Sequence, residues 1–198
     1  GLPLKIIAAF DERESNGSFK IAYVFGVPKE HIFLAPTITV ADDAFPSLTP
    51  ILHQASIYER KIKSMFGLTP KGHPDPRQLI MHENWPEDVF PLRKDVAWNE
   101  RPPIADGHFE FRKVDGEGIY EIPVGPVHAG IIEPGHFRFS VAGEEIMLLE
   151  PRLGYSHKGS EKLFEILPLD KKLALSERIS GDSSFSHSMA FCQGVEQL

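Results

Sequence analysis

The sequence predicts an α+β fold, in which a small antiparallel sheet with a covering helix is followed by a β-hairpin and a helical run. Three observations predict it. Apolar stretches of period two, separated by turn residues, fill the first forty positions. The period then changes to three-to-four. A second set of strand-like and helix-like stretches follows a proline-rich segment.

Taken in order, "LKIIAAFDE" and "FKIAYVFGV" are strands joined through "RESNGS", with Asn16-Gly17 as the hairpin signal. "HIFLAPTITV" predicts a third strand interrupted near Pro36, because proline removes a ladder donor. In "ADDAFPSLTPILHQASIYERKIKSMFG", Leu48, Ile51, Leu52, Ala55 and Tyr58 or Glu59 recur at helical spacing, and Ile62, Met65 and Phe66 extend the stripe. Such a helix covers one face of the sheet.

From Leu68 to about Asp106 the patterning fades into a Pro-, Gly- and His-rich ordered loop. The expected organisation is a first domain over 1–100, a linker over 101–119 that contains Pro102-Pro103, and a second domain over 120–198. In that second domain "IYEIPVGPVHAGIIEPGHFRFSVAGEEIMLLEPRLG" alternates strands and turns, with Ala142-Gly143 as a hairpin tip. "SHKGSEKLFEIL", "LDKKLALSERI" and "FSHSMAFCQGVEQL" are helical, with Ser160 and Asp170 expected as N-caps of the first two. In the third, Phe185, Met189 and Cys192 share one face, and Cys192 is expected in the core. That helix runs to Leu198 without a Gly, Pro or basic stop, so the sequence is expected to be a fragment or one piece of an assembly.

Composition excludes several function classes. The formal charge of −7 gives no basic face for nucleic acid. No apolar run approaches the roughly 20 residues of a membrane helix. A single cysteine excludes an internal disulfide framework and points to a reducing compartment. There is no Gly-x-Ser-x-Gly elbow, phosphate loop, His-Glu-x-x-His or Cys-x-x-Cys. "GEG" at Gly116–Gly118 lacks the third glycine of a dinucleotide fingerprint. The nine histidines are scattered, and His128 with His136 is a weak metal pairing.

Two longer stretches are more specific. "YERKIKSMFGLTPKGHPDPRQLIMHENWPEDVFPLRKD" carries Glu59-Arg60, Phe66-Gly67, Gly72-His73-Pro74-Asp75 and Pro91-Leu92-Arg93-Lys94-Asp95. It resembles the signature of the 30-kDa subunit of respiratory complex I and the equivalent domain of energy-converting hydrogenases. Lys61 and Ser64 depart from the acidic residues usual there, which weakens a local charge network. The Arg93-Lys94-Asp95 group is expected to be a structural or interface anchor.

The second stretch carries Gly125-Pro126, His128, Glu133-Pro134-Gly135-His136, Phe137-Arg138, Gly143-Glu144, His157-Lys158-Gly159 and Glu161-Lys162-Leu163. It resembles the start of the large subunit of formate hydrogenlyase-type [NiFe]-hydrogenases and of the 49-kDa subunit of complex I. The two resemblances follow the order of fused 30-kDa-type/49-kDa-type subunits. The resemblance to the hydrogenases aligns Arg178, Gly181, Phe185 and His187 with a nickel-binding turn. It puts Ser180 and Ser183 where two cysteine ligands belong. A serine hydroxyl is hard and weakly acidic, a poor substitute for a thiolate on nickel.

The resemblance implies a subunit of a membrane-associated oxidoreductase related to NAD-linked complex I, on the cytoplasmic face of the inner membrane. It would dock an iron–sulfur small subunit, contact membrane-arm subunits, and couple electron transfer to ion translocation without a NiFe site. The iron–sulfur clusters belong to partner subunits; this chain is expected to bind no cofactor of its own and to be inactive when isolated, where it is expected to self-associate. Glu133 and His136 are candidates for proton transfer or quinone contact, with local hydrogen bonding as the plainer role. The complex I branch binds quinone with a Tyr-His pair; His136 falls at the His position, but Gly181 stands where the Tyr belongs. A pocket lined by His136, Arg178, Asp182 and Ser183 would be the remaining quinone site. The alternatives are therefore a quinone-reducing subunit of a divergent NADH:quinone oxidoreductase, and a free-standing binding module with a vestigial hydrogenase-like part.

Overall fold

The computed structural model describes residues 1–130 and 132–197. The chain divides into two compact units, Gly1–Phe111 and Arg112–Leu198. Both mix small sheets with few helices, the α+β class expected.

In the first unit β1 (Leu4–Glu12) pairs antiparallel with β2 (Ser18–Val27). A four-residue helical turn, α1 (Arg13–Asn16), replaces the expected tight hairpin. Gly17 closes it at φ 75°, and its N–H bonds Arg13 O at 3.0 Å. The stretch around Pro36 forms two strands, β3 (Ile32–Leu34) and β4 (Thr37–Val40), which pair with opposite ends of β2. Pro36 sits between them as an acceptor, its carbonyl taking the Tyr23 N–H at 2.9 Å.

The covering helix, α2 (Ala55–Phe66), begins later than the periodicity suggested. Leu48, Ile51 and Leu52 are helically spaced but form one isolated turn ahead of α2, with the Ile51 and Leu52 N–H groups both on Leu48 O. Ahead of the helix, the Leu48 N–H is held by the Glu59 carboxylate at 2.6 Å. Before and after α2, β5 (Ala44–Pro46) and β6 (Thr69–Lys71) form a parallel pair that local patterning did not reveal. Ile7, Phe19, Ile21, Val40, Phe45, Ile62, Met65 and Leu68 make the core between helix and sheet. Each such side chain stabilises by about 1.5–3 kcal/mol relative to exposure.

In the second unit β7 (Ile119–Val124), β8 (His136–Ala142) and β9 (Glu145–Arg152) form an antiparallel sheet, and the β8–β9 turn falls at Ala142-Gly143 as expected. Both of its faces mix buried and exposed side chains. One face carries Arg138, Ser140, Glu150 and Arg152, and the last three are buried. The other carries buried Val141 beside Tyr120, Ile122 and Leu149, which are 52%, 40% and 46% exposed.

Three helices follow: α3 (Ser160–Ile166), α4 (Leu169–Ser176) and α5 (Ser184–Val195). The expected caps are displaced. Gly159, at φ 66°, precedes α3 and Pro168 precedes α4, so Ser160 and Asp170 lie inside their first turns. Glu161 lies in the first turn of α3, where the positive helix end favours it. Nor is the Phe185–Met189–Cys192 face buried: Phe185 is 73% and Met189 42% exposed, and Cys192 is a partly buried free thiol. Phe191 turns inward instead, its ring 5.7 Å from that of Phe164. Helix α5 ends at Val195, and Leu198 lies outside the described residues. Among the described residues, no helix is long and apolar enough to cross a membrane.

Candidate functional site

The signature residues of the first unit converge on the two ends of α2. Glu59 is fully buried near its start. Its carboxylate accepts hydrogen bonds from Ser47 Oγ (2.6 Å), Thr49 Oγ1 (2.7 Å) and the Leu48 N–H. His73, on the loop after β6, puts Nε2 4.0 Å from Glu59 Oε2. Its Nδ1 accepts the Asp75 N–H at 2.9 Å, so in the neutral ring the proton is on Nε2, facing the carboxylate. Among the described residues, that buried Nε2 has no hydrogen-bond partner. The Glu59 charge also reaches Tyr23, whose phenol is pushed up to about 12, first by burial and then by that charge.

Gly72, at φ 83°, turns the chain into His73, and exposed Pro74 leads to Asp75. Asp75 holds Arg77 through two hydrogen bonds, at 2.8 and 2.9 Å. Arg60 donates to the Arg77 and Gln78 carbonyls at 2.9 and 3.1 Å, fastening this loop to α2. Ser64, the departure from the usual acidic residue, is buried and donates to Arg60 O while meeting Gln78 Oε1 at 2.6 Å. The serine thus closes a neutral network where a carboxylate would have added charge.

At the other end, Gly67 terminates α2 at φ 74° and bonds Lys63 O. A Cβ there would fall 2.6 Å from the Phe90 ring and 2.8 Å from the Arg93 guanidinium. Arg93 donates through Nε to Phe66 O at 2.6 Å, and its guanidinium lies over Phe90 and Phe19, 4.6 and 5.3 Å from the ring centroids. The next residues clamp the loop to the sheet. Lys94 N–H reaches Asp11 Oδ2 at 2.8 Å, and Asp95 pairs with Arg13 at 2.9 Å. Arg13 also pairs with Asp11 at 2.7 Å. Burial raises the Asp11 pKa, but the Arg13 hydrogen bond and the Lys94 and Arg13 N–H groups outweigh it and hold it near 2. Asp95 is lowered chiefly by its hydrogen bond from Arg13.

Sequence reasoning missed Ser47, Thr49, Asp11 and Arg13. A signal existed for Asp11: it follows Ile7 and Ala9 on the core side of β1, where an unpaired carboxylate would be costly.

In the second unit the loop from β7 to β8 is stapled by two imidazoles. His128 Nε2 donates to Gly135 O at 2.7 Å, and His136 Nδ1 donates to Gly125 O at 3.3 Å. The Gly125–Pro126 peptide is cis. His136 begins β8 opposite Arg152, and Arg138 faces Glu150 across the strands and pairs with Glu121 at 3.3 Å. Glu133 is exposed and accepts from Ser156 Oγ at 3.1 Å. His157 Nδ1 accepts the Gly159 N–H at 3.2 Å, while its Nε2 lies 3.8 Å from Glu161. Lys162 is buried, 4.0 Å from Glu165.

The serine turn comes after α4. Lys158 Nζ donates to the carbonyls of Arg178 and Ile179 at 3.1 and 3.2 Å. Arg178 turns back to Ala174 O at 2.6 Å. Ser180 then precedes a 3₁₀ turn, Gly181–Ser183, which runs directly into α5. Asp182 is exposed on that turn, and Ser183 donates its N–H to Ser180 O at 3.2 Å. Among the described residues, Glu133, Arg178 and Asp182 are not joined to one another by a hydrogen bond or ion pair. The hydroxyls of Ser180 and Ser183 do not fit nickel, which takes soft anionic ligands in such sites. Among the described residues, no three His, Cys, Asp or Glu side chains are grouped so as to hold a metal.

Residues 3–102 match the family described as respiratory-chain NADH dehydrogenase, 30 Kd subunit. The chain is 38% identical to hydrogenase-4 component G of Escherichia coli (strain K12) over 200 residues, covering 98% of this chain and 36% of that protein. It is also 38% identical to formate hydrogenlyase subunit 5 of the same strain over 202 residues, covering 98% and 35%. With the fused NADH-quinone oxidoreductase C/D protein of Bacteroides thetaiotaomicron it shares 29% identity, covering 86% and 36%. The chain thus spans about a third of the length of these curated relatives. With its first half matched and its signature residues gathered at the two ends of α2, the chain belongs to the family of the respiratory-chain NADH dehydrogenase 30 Kd subunit.

Proposed function

We propose that the chain is part of a subunit of a membrane-associated oxidoreductase complex related to complex I and the hydrogenases, and that it works without a NiFe site. It docks an iron–sulfur small subunit and helps couple electron transfer to ion translocation, on the cytoplasmic face of the membrane. The observation that carries this reading is the presence of Ser180 and Ser183 on the turn into α5, within a chain alike over 98% of its length to two hydrogenase-type relatives. Frame and relatives point to the assembly, and the hydroxyls point away from hydrogen chemistry.

The test is purification of the native protein from membranes, with nickel quantified and subunits identified. Co-purification with an iron–sulfur protein and integral membrane proteins, at nickel far below one atom per chain, is expected. Stoichiometric nickel would sink the absence of a NiFe site. A protein recovered alone would favour a free-standing module.

A second reading, quinone reduction, draws support from the C/D relatives, which carry the name NADH-quinone oxidoreductase. Photolabelling of the assembled complex by a quinone analogue at His136 or Asp182 would favour it. Labelling confined to other subunits would remove it.

A further inference from the structure

Asn16-Gly17, the hairpin signal of the sequence, sits where α1 closes, and both residues are exposed. An asparagine followed by glycine is prone to lose its side-chain amide, because glycine puts no Cβ in the way of its own nitrogen. In that reaction the Gly17 nitrogen gives its proton to solvent base and attacks Asn16 Cγ. The new N–Cγ bond forms, the Cγ–Nδ2 bond breaks and ammonia leaves. Water then opens the cyclic imide to aspartate or isoaspartate.

In the folded chain each reacting group is already engaged. Asn16 Nδ2 donates to Glu12 Oε2 at 2.8 Å, and Asn16 Oδ1 accepts the Ser18 N–H and Oγ–H at 3.1 and 2.6 Å. The Gly17 N–H donates to Arg13 O at 3.0 Å. Ring closure must turn the amide off its three partners and free the Gly17 nitrogen, so the turn has to open first.

We propose that Asn16 is a site of hydrolytic deamidation gated by opening of the α1 turn, and that its conversion loosens the Arg93–Asp95 loop. Aspartate at this position would face Glu12, four residues back, where the amide now donates. Hydrogen bonds from Lys20 and Asn16 lower the Glu12 pKa, so that group is already a carboxylate, and like charges at this spacing repel. Isoaspartate would also lengthen the main chain between Glu12 and Ser18, which are register partners of β1 and β2. Arg13 lies in the same turn and pairs with Asp11 at 2.7 Å and Asp95 at 2.9 Å, while the Lys94 N–H rests on Asp11. A disturbed α1 therefore reaches the loop through Arg13.

The test incubates the 198-residue chain and a free peptide of residues 13–20 in one alkaline buffer, with aspartate and isoaspartate at position 16 quantified by peptide mapping. Asn16 should react about 30-fold more slowly in the chain than in the peptide. Ser18→Ala should speed the chain's reaction about five-fold, and Glu12→Ala about three-fold. Ile62→Val weakens the core without touching these bonds and should change the rate less than about two-fold. Asn16→Asp should quicken exchange of the Lys94 amide about five-fold. Equal rates in chain and peptide, or a rate that Ser18→Ala and Glu12→Ala leave unchanged, overturn the gate. So does an acceleration by Ile62→Val as large as that by Ser18→Ala, which would place the opening in global unfolding. Unchanged Lys94 exchange in Asn16→Asp overturns the link to the loop.

Discussion

His73 Nε2 faces Glu59 Oε2 across 4.0 Å, with both side chains fully out of solvent. The imidazole is close enough to orient toward the carboxylate but too far to bond it. The charge is held by Ser47, Thr49 and the Leu48 N–H, all within 2.7 Å. Glu59→Gln should therefore cost about 2–4 kcal/mol, because an amide puts N–H groups against donors. His73→Leu should cost less, about 1–2 kcal/mol, since it removes one acceptor for the Asp75 N–H. Urea unfolding of both variants checks the ranking. The reverse order would make His73 the principal partner.

Asp11 predicts the acid limb of stability. Its folded pKa, about 2, lies below the ordinary carboxylate value, so its contribution is complete above the unfolded value. That contribution is lost as pH falls from about 4 toward 2, the range between the two values. Arg13 and Asp95 are partly exposed, so solvent screening limits it to about 1–2 kcal/mol. Asp11→Asn should flatten this limb, as read from urea midpoints across that pH range.

Gly67→Ala should destabilise the first unit by about 1–3 kcal/mol. The left-handed φ of 74° strains any L side chain, and the added methyl displaces Phe90 or Arg93. The loss of the Arg93 bond to Phe66 O should appear as faster amide exchange over residues 90–96.

Lys158→Ala should loosen the serine turn without unfolding the chain. The carbonyls of Arg178 and Ile179 lose a charged donor, worth about 1 kcal/mol at an exposed site. Hydrogen exchange over residues 180–184 should quicken about five-fold, and Lys158→Arg should restore most of the protection.

Much of the architecture was legible in local pattern. Period two gave β1, β2 and the β8–β9 hairpin, and the helical stripe gave α2 from Ala55 onward. What escaped depends on partners distant in sequence. The Leu48 N–H meets Glu59 eleven residues further along the chain, and the β5–β6 pair joins segments on either side of α2. The caps moved because backbone geometry at Gly159 and Pro168 decided the starts, where side-chain propensity favoured Ser160 and Asp170. Phe185 and Met189 stay exposed because an amphipathic stripe does not say which of its flanks meets a neighbour. Among the site residues, the motifs located the ends of α2, while the hydroxyl cage around Glu59 and the Asp11–Arg13 clamp required three dimensions.

The exposed apolar side chains on the sheet of β7, β8 and β9 set two selections against each other. At Tyr120, Ile122 and Leu149, outward apolar side chains hinder the isolated chain in water. A library sorted for soluble expression would enrich lysine and glutamate at these three positions. The same library sorted for work inside an assembly that covers that face would restore the aromatic and branched residues. Arg138, Glu150 and Arg152, on the opposite face, would resist both screens alike.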